Sequence, residues 1–407
     1  MSRTRRGVVM TRSKRARLAL VIAAAAALVL AATAAARTNA GAPIVIGWAH
    51  DSTGPMAPFD GPALAAAELR VTKINSTGGV MGRPLEIKTC DTQGDNPAVS
   101  KACADKLIGE GANVIFTTCD VDLAAPVVQE SINRGLLTIA PCIGTDQMGP
   151  KRFGAKGKLA FTFGNVAQDE GSAMAQFAWA KGWRTADLAT DTVIVYFKNV
   201  VQAFAVRWKQ LGGKIVDQES YQDPAFHGNN VQNAVSRINS KPADVIVTST
   251  AGAYGALAPL ITGLRTLGNN TPVLNSWAGD GVYWLPKSPP VTNYYFVTYA
   301  NAFGQDPNPA VNTLAKQIKA ATGGFITGPA AIDGLATAIR RAHGSLDGST
   351  LAAVMEQFHK VPTLSGLVSF SPQLHAVFGR AYRVIEINNN KPREITTITA
   401  KVVVKIG

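Results

Sequence analysis

The chain has 407 residues, of which 46% are hydrophobic and 16% charged, so it is long enough for two domains and too apolar for a disordered protein. The formal net charge is +13, but seven Lys and Arg residues lie before residue 18 and no acidic residue precedes Asp51. The remainder is only mildly basic and has no basic run interleaved with aromatic residues, which argues against a nucleic-acid-binding protein.

The basic segment is followed by an apolar run, LALVIAAAAALVLAATAAA, that ends in small residues. This order of charged, apolar and small residues is typical of a secretory signal peptide, which we assign to residues 1–40 with cleavage after Ala36 or Ala40. The alternative is a membrane anchor that is not cleaved, because 19 apolar or small residues can just span a bilayer. No cysteine lies near the run, so we expect an exported protein, periplasmic or extracellular, that is not a lipoprotein.

From residue 43, short β-rich runs alternate with helical runs. Near-continuous apolar strands such as NVIFTT are typical of a parallel sheet covered on both faces, so this half predicts a doubly wound α/β lobe. Pro97 is expected at the first position of the second helix, after Asp95 or Asn96 as the cap. The predicted elements are strands 43–50, 84–90, 113–119 and 136–142 and helices 61–75, 97–110 and 123–134.

The alternation starts again at residue 185 and predicts a second lobe of similar build. No linker rich in Gly, Ser or Pro separates the lobes, so we expect a close-coupled pair with a central cleft at the carboxyl ends of the strands. The elements are strands 185–190, 214–221, 243–250 and 272–277, helices 198–212, 228–239, 254–267, 309–321, 329–343 and 349–359, and a C-terminal hairpin. The first lobe is assigned residues 43–162 and 301–362, the second 163–298 and 364–400, and the three-segment hinge 161–166, 296–301 and 362–368.

All four cysteines fall within a short part of the chain, and an even number in an exported protein predicts disulfides. Cys119 and Cys142 end two strands that we expect to be neighbours in a parallel sheet, within reach of a disulfide. Cys103 lies on the helix that packs back against the strand ending at Cys90. The residues therefore predict the pairs Cys90–Cys103 and Cys119–Cys142.

Several stretches, taken in order, resemble a known family. They are IVIGWAHDSTGPMAPFDGPALAAAELRVTKINSTGGVMGRPLEI, DTQGDNPAVSKACADKLIGEGANVIF, NRGLLTIAPCIGTD, QLGGKIV, ADVIVTS and GLVSFSP. From residue 43 to 390 the chain resembles the type I periplasmic binding proteins of the branched-chain amino acid class. The resemblance implies a monomeric receptor that closes two lobes over a small-molecule ligand and presents it to the permease subunits of an ABC importer. It also favours a different disulfide, Cys90–Cys119.

The resemblance places ligand contacts in the loops around the cleft. In the turn DSTGPMAPFDG, Phe59 matches an aromatic ligand contact, with packing on its own helix as the alternative. Asp120 and Val121 lie where amino-acid binders present hydroxyl and backbone N–H groups, at a helix N-terminus, to the ligand carboxylate. The pair His50–Asp51 lies at a strand end, where it favours a solvated turn over a ligand contact, which is the alternative. The candidate ligand-binding residues are Phe59, Asp120, Val121, Cys142, Ile143, Thr145, Tyr196, Tyr254, Trp277 and Asp280.

Two departures from the family pattern bear on the ligand. Asp120 would repel a ligand carboxylate by about 4 kcal/mol at about 4 Å and an effective dielectric constant near 20. Trp277 stands where amino-acid binders carry an acid for the ligand ammonium, although Asp280 lies just beyond it. We therefore expect a small neutral, cationic or aromatic compound, amides included, rather than leucine, isoleucine or valine. The alternative is that Asp120 caps the next helix and points away from the cleft.

Sequence motifs of catalysis are missing: there is no G-x-S-x-G, no G-x-x-x-x-G-K-[ST] and no H-E-x-x-H. The five histidines are too scattered for a helical metal-binding pair. We expect that the protein is not an enzyme and that it binds no metal ion and no cofactor. A ligand-sensing module of a signalling receptor and, less favoured, a secreted enzyme on the same scaffold remain the alternatives.

Overall fold

A computed structural model describes residues 41–222 and 231–406. The signal peptide assigned to residues 1–40 lies outside the described residues, as does the start of the helix predicted for 228–239. Among the helices in the described ranges, none is long and apolar enough to cross a membrane.

Five strands from the first part of the chain form one parallel sheet. The strands are β1 (Ile44–His50), β2 (Leu85–Asp91), β3 (Val114–Phe116), β4 (Thr138–Ala140) and β5 (Ala160–Thr162). Their order across the sheet is β2-β1-β3-β4-β5. The helices between them are α1 (Ala57–Asn75), α2 (Pro97–Gly109), α3 (Val121–Asn133) and the short α4 (Pro150–Phe153).

Alternate residues of β1 face opposite sides of this sheet. Ile46 and Trp48 are buried in the cluster that contains α1, whereas Val45 and Ala49 are buried in the cluster that contains α2. Both faces are therefore covered by helices, which explains the unbroken apolar sequence of the strand. This arrangement confirms the predicted doubly wound lobe.

The second sheet has seven strands and closes on an antiparallel hairpin. Its strands are β6 (Thr185–Asp191), β7 (Lys214–Tyr221), β8 (Val245–Ser249), β9 (Val273–Asn275), β10 (Tyr294–Thr298), β13 (Tyr382–Asn388) and β14 (Lys391–Ile398). Two further strands, β11 (Val361–Thr363) and β12 (Gly366–Val368), form a small antiparallel sheet of their own. The order in the large sheet is β14-β13-β10-β9-β8-β6-β7. The helices are α5 (Ala167–Ala180), α6 (Val195–Gln210), α7 (Val231–Ser240), α8 (Leu257–Thr266), α9 (Pro309–Ile318), α10 (Thr327–Arg341) and α11 (Gly348–Met355).

Most predicted elements are present with ends shifted by a few residues. Helix α1 begins at Ala57 rather than at residue 61, because Pro58 is accommodated in its first turn, where an N–H group has no partner within the helix. Helix α2 begins at Pro97 with Asn96 as its cap, one of the two predicted cap residues.

Helix α5 is absent from the predicted elements. Eleven of its 14 residues are buried, the acidic residues of its first turn included. A helix buried nearly all round has no polar face, so its sequence lacks the amphipathic period by which surface helices are identified.

The disulfides are Cys90–Cys103 and Cys119–Cys142, with Cα atoms 5.5 Å and 4.8 Å apart. They confirm the pairs inferred from the residues, and the Cys90–Cys119 pair implied by the resemblance is wrong for this chain. The physical reason is the strand order: β1 lies between β2 and β3, so Cys90 and Cys119 end strands that are not neighbours. By contrast, Cys119 and Cys142 follow the adjacent strands β3 and β4.

Candidate functional site

A small cavity lies where the loops of the two lobes meet. Its lining residues follow the carboxyl ends of β1 and β3 in the first lobe and of β6, β8 and β9 in the second. This is the edge of an open parallel sheet at which ligands are generally held. The lining residues are Met56, Phe59, Cys119, Asp120, Ile194, Tyr196, Phe197, Ala251, Tyr254, Trp277 and Ala278.

Five of the ten candidate residues, drawn from both lobes, are brought together at this cavity. They are Phe59, Asp120, Tyr196, Tyr254 and Trp277. Each is nearly buried, because the lobes contact one another around the cavity. The structure therefore describes a closed arrangement.

The other five candidates do not line the cavity. Val121 and Ile143 are buried in the core of the first lobe, and Cys142 is held in its disulfide. The Thr145 hydroxyl accepts a hydrogen bond from Asn199 Nδ2 at 3.2 Å, across the interface between the lobes.

Asp280 connects two segments of backbone beside the cavity instead of facing into it. Its Oδ2 accepts hydrogen bonds from the Thr298 hydroxyl at 2.6 Å and from the Gly323 N–H at 2.5 Å. Burial raises the pKa of this carboxyl to about 7. We interpret Asp280 as a residue that holds the turn after β9 against the chain near Gly323.

The turn after β1 is built around the buried carboxylate of Asp51, so the prediction of a solvated turn is wrong. The carboxylate accepts hydrogen bonds from four backbone N–H groups, those of Thr53 (3.2 Å), Gly54 (2.7 Å), Met56 (3.0 Å) and Gly94 (3.1 Å). A Cβ atom on Gly54 would lie 2.5 Å from Asp51 Oδ2, which explains the glycine in this turn. The turn places Met56 and Phe59 at the cavity.

A second buried carboxylate, that of Asp60, ties the turn to the end of β3. Its oxygens accept hydrogen bonds from the N–H groups of Asp51 and Cys119, both at 2.9 Å. Burial, and secondarily the neighbouring Asp95, raise the pKa of Asp60 well above its ordinary value. The first-lobe wall of the cavity therefore depends on backbone groups bound to buried acids.

Asp120 is the N-terminal cap of α3 and lines the cavity at the same time. Its Oδ1 accepts hydrogen bonds from the N–H groups of Asp122 at 2.8 Å and Leu123 at 3.2 Å. Burial raises the pKa of Asp120 to about 7, and the negative charge of Asp122 adds to the effect. The alternative that Asp120 caps the next helix is therefore confirmed, but its second part, that Asp120 points away from the cleft, is wrong.

The second-lobe wall depends on Glu170, which is not among the candidate residues predicted from the sequence. Its carboxylate accepts hydrogen bonds from the Tyr196 hydroxyl, at 2.9 and 3.0 Å to its two oxygens, and from the Trp277 backbone N–H at 2.5 Å. Burial raises the pKa of Glu170 to about 8, although both hydrogen bonds favour the ionised form. The sequence does show two acidic residues at the start of α5. However, no neighbouring residue in the sequence indicates that Glu170 binds partners so far along the chain.

The aromatic residues form one connected group around Trp277. Its ring meets Phe59 of the first lobe edge to face at a centroid distance of 5.1 Å and lies 6.3 Å from the Tyr196 ring. On another side it stacks on Tyr299 at 4.9 Å. Phe59 therefore contacts the opposite lobe, as a cleft residue does, and is not packed only on its own helix.

The cavity is mainly apolar and carries little charge. Among its described lining residues, Asp120 is the one acid, and none is Lys, Arg or His. Within residues 41–222 and 231–406, no group of three or more His, Cys, Asp or Glu side chains is placed to hold a metal ion. The arrangement suits a small organic ligand enclosed by aromatic rings.

Comparisons with known proteins agree with this architecture. A family model described as periplasmic binding protein matches residues 43–392. The Leu/Ile/Val-binding protein homolog 3 of Brucella melitensis is 24% identical over 341 residues, which cover 81% of this chain and 88% of that protein.

Two solved structures have a similar fold. One is the branched-chain amino acid transporter substrate-binding protein LivJ of Streptococcus pneumoniae in complex with isoleucine, with a TM-score of 0.73, 17% identity, and coverage of 88% of this chain and 99% of that chain. The other is a solute-binding protein of an ABC transporter from Rhodopseudomonas palustris in complex with 3,4-dihydroxybenzoic acid. Its TM-score is 0.71 at 16% identity, and the match covers 89% of this chain and 98% of that chain. With a family model that matches most of its length and two α/β lobes around a cavity, the chain belongs to the periplasmic binding protein family, and its fold is of type I.

Proposed function

We propose that this protein captures a small organic molecule between its lobes and delivers it to the permease of an ABC importer. The observation that carries the proposal is the cavity, whose walls come from both lobes and which is enclosed only when the lobes meet. Closure of this kind excludes water from the ligand contacts and converts binding into a change of shape that a permease can recognise. The similar proteins are described as binding proteins, which supports a role in binding rather than catalysis.

The N-terminus of α3 bears on the class of ligand. A helix N-terminus is a favourable place for a carboxylate, because its free N–H groups point outward. Here the N–H groups of Asp122 and Leu123 already donate to the carboxylate of Asp120. A ligand carboxylate would have to displace this side chain or lie beside it, and no cationic side chain lines the described cavity to compensate.

We infer that the ligand is neutral or cationic and that it presents an aromatic or other flat apolar group to Phe59, Tyr196, Tyr254 and Trp277. Amides fit this class. The similar structures were solved with isoleucine and with 3,4-dihydroxybenzoic acid, and both compounds carry a carboxyl group. The ligand of this chain would therefore differ from both at the carboxylate position.

Membership of the family implies export to the periplasm. The signal peptide assigned to residues 1–40, release of the mature chain as a monomer, and the absence of a lipid anchor belong to the proposal. Uptake of the retained compound by cells with and without the gene would test delivery to a permease, and unchanged uptake would favour the sensing role instead.

Native mass spectrometry of the protein as purified is the direct test, because a receptor that encloses its ligand often retains it. Calorimetry of ligand-stripped protein against benzamide, leucinamide, leucine, isoleucine and valine then defines the class. We expect binding of the uncharged or cationic compounds with a dissociation constant of about 1 μM. Binding of a branched-chain amino acid at that level would contradict the ligand class, and failure to retain or bind any small molecule would contradict the function itself.

The matched variant is Asp120→Asn. Asparagine caps a helix about as well as aspartate, so the variant keeps the helix cap and should remain folded. At pH 8, above the raised pKa of Asp120, the substitution removes a negative charge, so the affinity for leucine should rise by at least about tenfold. An unchanged affinity for leucine would show that Asp120 does not select against carboxylates.

A further inference from the structure

The N-terminal turns of two helices, one from each lobe, meet beside the cavity. Helix α3 begins at Val121 in the first lobe and helix α6 begins at Val195 in the second. Both N-termini carry a partial positive charge, so their approach on closure is unfavourable unless a negative group lies between them.

Asp122, on the first turn of α3, lies between them. Its Oδ2 accepts a hydrogen bond from the backbone N–H of Val195 at 2.7 Å, and its Oδ1 accepts one from Arg152 Nη1 at 2.7 Å. The residue at the cap position of α6, Ile194, has no side-chain acceptor to offer. The first N–H of α6 is therefore capped by a side chain 73 residues away on the opposite lobe.

The first turn of α6 carries a large part of the second-lobe wall. Ile194, Tyr196 and Phe197 all line the cavity. Within the second lobe, Glu170 fixes the Tyr196 hydroxyl, but that contact does not relate the wall to the first lobe. Asp122 connects the second-lobe wall to the first lobe, because it joins the first turn of α6 to α3.

We propose that Asp122 is a positioning residue for ligand capture, which docks the first turn of α6 onto the first lobe and thereby favours the closed arrangement. The expected effect of Asp122 on ligand affinity rests on the proposed function. The docking of the first turn of α6 onto the first lobe does not, because it can be measured without a ligand. Asp122 does not line the cavity, so it acts on the ligand through α6.

The test compares Asp122→Ala and Asp122→Asn with the control Asp105→Ala. Asp105 is an acid on the exposed surface of α2 in the same lobe, where it pairs with Lys101 and Arg134. Amide hydrogen exchange of the full mature protein at Val195 is the first readout. In Asp122→Ala we expect exchange there to be about tenfold faster, with no change at the C-terminal end of α6.

The Asp122→Asn variant keeps an acceptor for the Val195 N–H but loses the charge, so its exchange rate should fall between those of wild type and Asp122→Ala. Benzamide binding by calorimetry is the second readout, with an expected loss of about tenfold in Asp122→Ala and none in Asp105→Ala. Equal exchange at Val195 in all variants, or faster exchange along the whole of α6, would overturn the proposal. If benzamide does not bind the wild type, the ligand class has failed, and the exchange at Val195 still decides the role of Asp122.

Discussion

The two walls of the cavity are held in different ways. In the first lobe, the turn after β1 and the end of β3 are fixed by backbone N–H groups bound to Asp51 and Asp60, and a disulfide follows at Cys119. In the second lobe, two aromatic residues are held by the single buried carboxyl of Glu170. The first wall is therefore a backbone framework with several anchors, whereas the second depends on the carboxyl group of one side chain.

The largest effect is expected from removing the main anchor of the first wall. Asp51→Ala would leave four buried or partly buried N–H groups without their acceptor. We expect the free energy of unfolding to fall by about 4 kcal/mol, measured by urea denaturation. The control is Asp105→Ala, because Asp105 forms only exposed ion pairs and its replacement should leave the unfolding transition nearly unchanged. A similar small loss in Asp51→Ala would mean that the turn does not depend on this carboxylate.

The next prediction concerns the contact between the walls. A Cβ atom on Gly144 of the first lobe would lie 2.6 Å from Cε2 of Tyr196, whose hydroxyl is held by Glu170. Since the ring has little freedom to move, Gly144→Ala should destabilise the closed arrangement by about 2 kcal/mol while each lobe stays folded. Small-angle scattering in the presence of the retained compound should show a larger radius of gyration than for wild type.

Gly109→Ala is the matched control for this change. No atom lies within 4 Å of a Cβ built on Gly109, so that variant should close like the wild type. Compaction of Gly144→Ala to the wild-type radius would contradict the tight contact between Gly144 and Tyr196.

The third prediction concerns the contribution of Glu170 to the pH dependence of stability. The pKa of Glu170 is about 8 in the folded protein, against an ordinary value of 4.5. Between these values the folded state binds one proton more than the unfolded state, so the free energy of unfolding falls as the pH rises, by about 1.4 kcal/mol per pH unit. Glu170→Gln removes this contribution, and urea denaturation between about pH 6 and 8 should show a shallower decline than for wild type.

Asp187→Asn is the control for the pH effect. Asp187 is a buried acid of β6 outside the cavity lining, and burial raises its pKa to about 6. Its replacement should flatten the decline below about pH 6 and leave the range from 6 to 8 unchanged. An identical slope in Glu170→Gln and wild type above pH 6 would show that Glu170 titrates at its ordinary value.

The same contrast explains which parts of the molecule could be predicted from the sequence. The alternation of strands and helices, the covered sheets and the disulfide pairs follow from local patterns and from the neighbours in a parallel sheet. Phe59 and Asp120 could be placed at the cavity through the resemblance to the family, which assigns ligand contacts to the segments after β1 and β3. Glu170 could not, since its partners Tyr196 and Trp277 are 26 and 107 residues away in the chain.

Asp51 shows a second limit of sequence interpretation. An acid in a turn rich in Gly and Pro resembles a solvated residue, and only the folded backbone shows that four N–H groups converge on it. Polar residues that organise a loop cannot be told from exposed ones without the geometry of that loop.

The final strand of the large sheet has a consequence for how the protein behaves when it is concentrated. β14 lies at the edge of the sheet, where unpaired backbone groups invite another chain to add a strand. Its sequence begins with Lys391, Pro392, Arg393 and Glu394. A proline that cannot donate a hydrogen bond and three charged side chains discourage edge-to-edge pairing, so this edge of the sheet is protected against self-association.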